Sequence, residues 1–310
     1  MTLPEELQFI ENARKPQHRT EARLDGRLCV ITGATSGIGL QAARRLARGG
    51  AQLVMICRNP EKGARVRAEL AESFGAQADV VIADLRDLDQ VRAAAEAILQ
   101  RYARVHLLIN CAGVHHTTRV LTPAGHETVF GVDHLAPFLL TRLLLDHLIA
   151  SAPARIIQVN SEGHRFGGLD LTDLDWARRR YFGLRGYGAA KTAQLLTVWE
   201  LADFLAGTGV TINAMHPGEV RTEIGMNNGL LYRLYNRWLI RWFLKDPAIS
   251  GEALYYLAAA PELQSVSGRF FNLTIEEVPA RHALDRALGR RVWEISESLA
   301  GLPPLLREPG

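Results

Sequence analysis

Tyr187 and Lys191, four residues apart in the run Tyr-Gly-Ala-Ala-Lys, are the pair in this sequence best suited to moving a proton. On a helical stretch that spacing puts both side chains on one face. A free phenol has a pKa of about 10 and is a poor base at neutrality. An ammonium beside it favours the phenolate, so the pair can pass a proton to or from an oxygen. A second element is the run Thr32-Gly-Ala-Thr-Ser-Gly-Ile-Gly39, which follows an apolar segment and opens a helical pattern. Glycines 33, 37 and 39 permit a tight turn and a close approach of backbone to a diphosphate, with Thr35, Ser36 and Ile38 between them. The charge of such a ligand would sit at a helix N-terminus.

These groups need a frame. Short β-branched or apolar runs fall at 28–32, 53–56, 80–83, 105–110, 156–160, 210–215 and 269–273. Segments with helical spacing lie between most of them, at 39–48, 60–73, 88–101, 138–149 and 189–205. Runs of four to six apolar residues suit strands buried on both faces. Strand–helix alternation over this length predicts an α/β fold, a doubly wound and mostly parallel sheet of about seven strands. Residues 1–25 are polar and read as an N-terminal extension, and 26–303 as one domain.

The composition narrows the class. The chain has 310 residues, 47% hydrophobic and 22% charged, which is globular rather than disordered. A net charge of +3 with scattered basic residues gives no case for nucleic acid. Cys29, Cys57 and Cys111 show neither disulfide-framework nor zinc-site spacing. His115-His116 lack a third ligand nearby, so a loop or substrate-pocket role is favoured over a metal. No apolar run reaches the ~18 residues that span a bilayer, and no signal-peptide core opens the chain. A cytoplasmic, reducing compartment is the expectation.

The glycine spacing, GxxxGxG, resembles that of the short-chain dehydrogenases/reductases, and other segments agree in chain order. Asn110-Cys111-Ala112-Gly113 resembles the family's NNAG, and Tyr187 to Lys191 its YxxxK. Ser161 ends a strand where the family keeps its catalytic serine, and Pro217-Gly218 with Thr222 resembles its PG…T segment. CRNPEKG, FLLTRLLLDHL and RRVWEISESLAGLP are similar to the retinol-dehydrogenase-like branch. The resemblance implies a Rossmann-type fold, a nicotinamide cofactor held partly by Asn110, Ala112, Gly113, Pro217, Gly218 and Thr222, and a lipophilic alcohol or carbonyl substrate. Ser161 would donate to the reacting oxygen and Lys191 would hold the nicotinamide ribose. Asp84 and Leu85 look like the family's adenine contact, although Asp84 also suits an N-cap. Family members commonly form dimers or tetramers, which implies a homo-oligomer.

Two positions depart from the pattern. Where a carboxylate would bind the ribose 2′-hydroxyl, this chain has Cys57 followed by Arg58. A guanidinium matches a 2′-phosphate, so NADP(H) is favoured over NAD(H), the plain alternative being a solvated loop cation. The family's fourth catalytic residue, an asparagine, falls on Asp133. Its charge would draw Lys191 from the tyrosine or supply a proton path of its own. Asn160 replaces the first serine of a common pair and is read as neutral.

Between the sixth strand run and the next helical pattern, Arg233, Arg237, Arg241 and Lys245 recur every fourth residue among Tyr232, Tyr235, Trp238, Trp242 and Phe243. As a helix over 228–245 this is a substrate lid, a helix packed on the core, or a peripheral contact with an anionic membrane surface. The expected function is NADP(H)-dependent interconversion of a lipophilic alcohol and its ketone or aldehyde. The alternatives are a nucleotide sensor that has lost turnover, and a sugar-nucleotide epimerase or dehydratase of the extended branch.

Overall fold

The computed structural model describes residues 12, 15–218 and 246–305. Eight strands, β1 (Leu28–Thr32), β2 (Gln52–Cys57), β3 (Ala78–Ile82), β4 (Leu107–Asn110), β5 (Ala154–Val159), β6 (Val210–His216), β7 (Phe270–Asn272) and β8 (Ile275–Glu276), make one sheet. Their order is β3-β2-β1-β4-β5-β6-β7-β8. All neighbours run parallel except β7 and β8, which pair antiparallel. The seven expected strands are present, the first with the expected bounds and the other six with shifted ends. The eighth has two residues, too few to leave any alternation in the sequence. The proposed lid, 228–245, and Thr222 lie outside the described residues.

Alternation along the inner strands supplies both faces of the core. Val30, Val54, Leu108, Ile156 and Ile212 point into one apolar cluster. Cys29, Ile31, Leu53, Ile109, Ile157 and Met215 point into the other. The first is covered by helices α3 (Leu88–Arg101), α4 (Ala136–Leu143), α5 (Leu145–Ala150), α6 (Gly183–Phe204) and α8 (Arg286–Leu299). The second is covered by α1 (Gly37–Arg48), α2 (Pro60–Phe74) and α7 (Ala248–Ala259). Strand order reverses between β1 and β4, and their C-terminal ends open the crevice where such sheets take ligands.

Two helices differ from the sequence reading in ways that shape the site. The segment expected as one helix over 138–149 breaks at Leu144 and is preceded by a π-helical turn, Gly131–Leu135, carrying Asp133. α6 begins at Gly183, six residues earlier than expected. Gly183, Gly186 and Gly188 hide that first turn, because glycine is a poor helix former. Packing explains them: a Cβ on Gly188 would lie 2.5 Å from Gly167 O and 3.0 Å from Gly163 O.

The described segments before β1 and after β8 are tied to the body. Tyr255 donates to Ala22 O at 2.6 Å, His18 stacks on Tyr256, and Leu24 is buried. At the other end α8 pairs Glu297 with Arg142, and its Trp293 meets Phe138 edge-on at 4.9 Å. On the α1–α7 side, the Cβ position of Gly251 lies 2.9 Å from the Gln41 backbone. Gly251→Ala must push these helices apart and is expected to cost about 1–3 kcal/mol. Urea unfolding reads this as a lower midpoint with an unchanged m-value.

Candidate active site

The nucleotide end is built from β1 and the turn that follows it. Gly33 and Gly37 adopt positive φ (+72° and +53°), which only glycine takes without strain. A Cβ on Gly33 would come within 2.9 Å of Ala112 Cα, and one on Gly39 would strike Gly33 O. The side chain of Ser36, at the N-cap of α1, caps nothing, and the first turn carries no acid. Thr32 Oγ1 accepts from both Cys111 N and Ala112 N at 3.0 Å, fastening the Asn110–Gly113 turn to the glycine turn. Asn110 donates to Thr141 Oγ1 at 3.0 Å, and its own Oδ1 is buried with no partner among the described residues. A glycine cradle, an uncapped helix start and an orphaned buried oxygen fit a nicotinamide dinucleotide.

Arg58 is exposed just beyond β2, and Asn59 caps α2 by accepting from Lys62 N at 2.7 Å. Asp84 opposes burial through Arg86 and Arg58, which hold its carboxyl below the usual range. It does not cap α3; Asp87 does, so that alternative for Asp84 is set aside. Leu85 packs against the core. Gly218 has φ +79°, and Pro217 O accepts from Ser250 Oγ at 2.5 Å.

At the end of β5, Ser161 caps a 3₁₀ turn, Glu162–Phe166, its Oγ accepting from Gly163 N at 3.0 Å. The hydroxyl proton is therefore left to donate elsewhere. The Tyr187 ring also lies against Gly163. A Cβ there would sit 2.5 Å from the Tyr187 ring and 3.3 Å from Ser161 Oγ, so glycine alone lets the two groups share this corner. Lys191 Nζ stands 5.6 Å from the centre of that ring and donates to Val159 O at 3.1 Å. His115 meets Tyr187 edge-on at 5.6 Å.

Asp133 sits beneath, fully buried. Its Oδ1 accepts from Val114 N at 2.8 Å and its Oδ2 lies 3.3 Å from Lys191 Nζ. Burial alone would lower the Lys191 pKa, but Asp133 and Tyr187 outweigh it and hold the ammonium above its ordinary value. Burial raises the carboxyl of Asp133, with Lys191 and the Val114 N–H opposing. The rival phenol, Tyr181, donates to Glu127 Oε1 at 3.1 Å. Burial and that carboxylate push it far above a tyrosine's ordinary range. It is a brace rather than an acid.

Several groups carry more than the sequence reading gave them. Asn160, read as neutral, accepts from Ser161 N and donates to Lys191 O and Gln194 Oε1, strapping β5 to α6. Only a replaced serine marked it. His164 Nδ1 meets Ser161 O at 2.7 Å while its Nε2 accepts from Ala280 N at 3.1 Å, which fixes a neutral tautomer. Burial agrees, pushing this imidazole down to about 3. Among the described residues no three His, Cys, Asp or Glu side chains gather as a metal site. No helix among them is long and apolar enough to cross a membrane.

Residues 27–230 match the short chain dehydrogenase family. Human retinol dehydrogenase 13 is 39% identical over 295 residues, covering 93% of this chain and 89% of that protein. Mouse retinol dehydrogenase 14 is 40% identical over 294 residues, covering 90% and 87%. A crystal structure from Mycobacterium paratuberculosis superposes with a TM-score of 0.73 at 30% identity, over 92% of this chain and 97% of that one. A Shigella flexneri short chain dehydrogenase complexed with NADP reaches 0.65 at 25% identity, over 82% and 99%. A 3-ketoacyl-(acyl-carrier-protein) reductase from Brucella melitensis complexed with NADH reaches 0.62 at 27%, over 80% and 96%. With the glycine turn, the Asn110 turn and the Tyr187–Lys191 pair gathered at one end of a doubly wound sheet, this chain belongs to the short-chain dehydrogenases, in their retinol-dehydrogenase-like branch.

Proposed function

We propose that this oxidoreductase interconverts a lipophilic alcohol and its ketone or aldehyde with NADP(H), using Ser161, Tyr187 and Lys191. The observation that carries the reading is the corner at Gly163, where a serine hydroxyl and a phenol flank one glycine beside a buried ammonium. When bound, the nicotinamide supplies or accepts the hydride. Ser161 donates its free hydroxyl proton to the oxygen on which negative charge gathers. Tyr187 gives that oxygen a proton, or takes one, and Lys191 lowers the cost of the phenolate. Residues 33–39 with Asn110, Ala112, Gly113, Pro217 and Gly218 hold the dinucleotide. Arg58, with no acid at Cys57, receives the 2′-phosphate. Relatives named retinol dehydrogenases support a lipophilic substrate. The Asp133–Lys191 pair favours a second reading, a nucleotide sensor with weak turnover, because it places a counter-charge on the lysine.

Nicotinamide absorbance with NADPH and a panel of lipophilic carbonyls separates these readings. Oxidation of NADPH supports the enzyme, and binding without oxidation for every carbonyl supports the sensor. Tyr187→Phe is expected to lose about 10²–10⁴-fold in turnover with NADPH affinity nearly unchanged, while Tyr181→Phe keeps its activity. Arg58→Ala should weaken NADPH by about ten- to a hundredfold and NADH little; equal losses would remove the phosphate assignment. Asp133→Asn removes the anion that competes with the phenolate, while Val159 O and Tyr187 still hold the Lys191 ammonium, so the phenol ionises more readily. The tyrosine-dependent limb of the pH–rate profile is then expected to move to lower pH by about one unit.

A further inference from the structure

The turn that carries Ser161 is held from behind by a cluster to which the proposed reaction assigns no part. Glu162 pairs with Arg165 one turn later, and Arg165 reaches on to Glu277 Oε1 at 2.7 Å and Val278 O at 3.2 Å. Glu277, just beyond β8, has a fully buried side chain whose other oxygen accepts from Asn272 Nδ2 and Asn12 Nδ2, each at 3.1 Å. The Glu162 side chain is 11% exposed and the Arg165 side chain 15%. The Oε1 of Glu162 is buried with no hydrogen-bond partner among the described residues. Two carboxylates thus share one guanidinium away from water.

We propose that Glu162, Arg165 and Glu277 form the positioning device for Ser161, and that the number of protons on this cluster sets how firmly the serine is held. The inference rests on the role proposed for Ser161. Three links run from the cluster to the serine. Glu162 is its neighbour in the chain, and Arg165 lies in the same 3₁₀ turn. Beyond Glu277, the strand-edge segment continues to Ala280 and His282, which grip His164 at its Nε2 and its carbonyl. His164 in turn holds Ser161 O. The charged groups facing the Glu162 carboxyl are Arg165 on its own turn and Glu277 from the segment after β8; around the turn stand His164, His282 against His164, and His216 from β6, whose Nδ1 accepts from the Glu162 backbone N–H. His164 and His216 are both pushed down to about 3, chiefly by burial, so they stay neutral in the working range.

Charge then decides the sign. A proton on Glu162 leaves the cluster with one carboxylate and one guanidinium. Losing that proton sets two buried anions against each other across Arg165. Burial first, and then Glu277, push Glu162 up from 4.5 to about 7. A carboxyl raised on folding adds stability below its unfolded pKa and loses it as pH rises through the folded one. The window is therefore about 4.5 to 7, with the turn firmest at its acid side.

The test compares wild type with Glu162→Gln and Glu277→Gln, each removing one negative charge while keeping the side chain's size. Three readouts are taken from about pH 5 to about pH 8: thermal midpoint, NADPH affinity, and the separate kcat and KM for carbonyl reduction. The wild-type midpoint is expected to fall by a few degrees relative to either variant as pH rises. Wild-type kcat is expected to drop about threefold or more relative to Glu162→Gln over the same range, with NADPH affinity unchanged. Midpoints that run parallel would overturn the shared proton. Diverging midpoints with superimposed kcat profiles would make the cluster a brace for the fold and overturn the positioning role. A wild type with no turnover at any pH would sink the proposed reaction, and the positioning role with it.

Discussion

Keeping an ammonium charged out of contact with water is the constraint around which the rest of this molecule is arranged. Lys191 is 3% exposed, and burial on that scale would strip its proton unless negative and polar groups surround it. The chain supplies Asp133 from a π-helical turn, the Val159 carbonyl from the end of a central strand, and the Tyr187 ring one helical turn away. Each partner comes from a different element, so the lysine also acts as a fastener between β5, α6 and the segment before α4. A buried pair of this kind adds little net stability compared with apolar packing, and removing either member is costly. Its presence is better explained by what it does to the phenol than by what it adds to the fold.

The same economy appears around the serine. Its hydroxyl is left free to donate because Gly163 N satisfies only the acceptor side. Its backbone is held by Asn160 on one side and His164 on the other. Neither of these two partners is charged; the charged groups of the turn, Glu162 and Arg165, stand behind them.

The sheet and the nucleotide turn were legible in the sequence, and the reasons are physical. Strands buried on both faces need unbroken apolar runs, and a backbone that must pass beside Ala112 needs a glycine at 33. The Tyr187–Lys191 spacing was legible because helical periodicity is local. What could not be read were features fixed by contacts distant along the chain. The start of α6 was hidden by glycines whose purpose is the approach of Gly167 and Gly163. The two-residue β8 has no period to detect. Glu162, Arg165 and Glu277 form no pattern along the chain, since 112 residues separate Arg165 from Glu277. Asn160 looked like a neutral replacement, because its partners lie 31 and 34 residues away.

The pair of hydrogen bonds from Cys111 N and Ala112 N to Thr32 Oγ1 has a consequence for how tightly a dinucleotide can be held. It welds two turns from neighbouring strands into one wall, with Gly33 already against Ala112. A ligand meeting that wall finds its contacts in place and forfeits little conformational entropy on that side. Pre-assembly of this sort treats every adenine dinucleotide alike, so it raises affinity without discriminating. Selectivity is left to groups outside the weld, where a side chain on a strand tip can be exchanged without disturbing the wall.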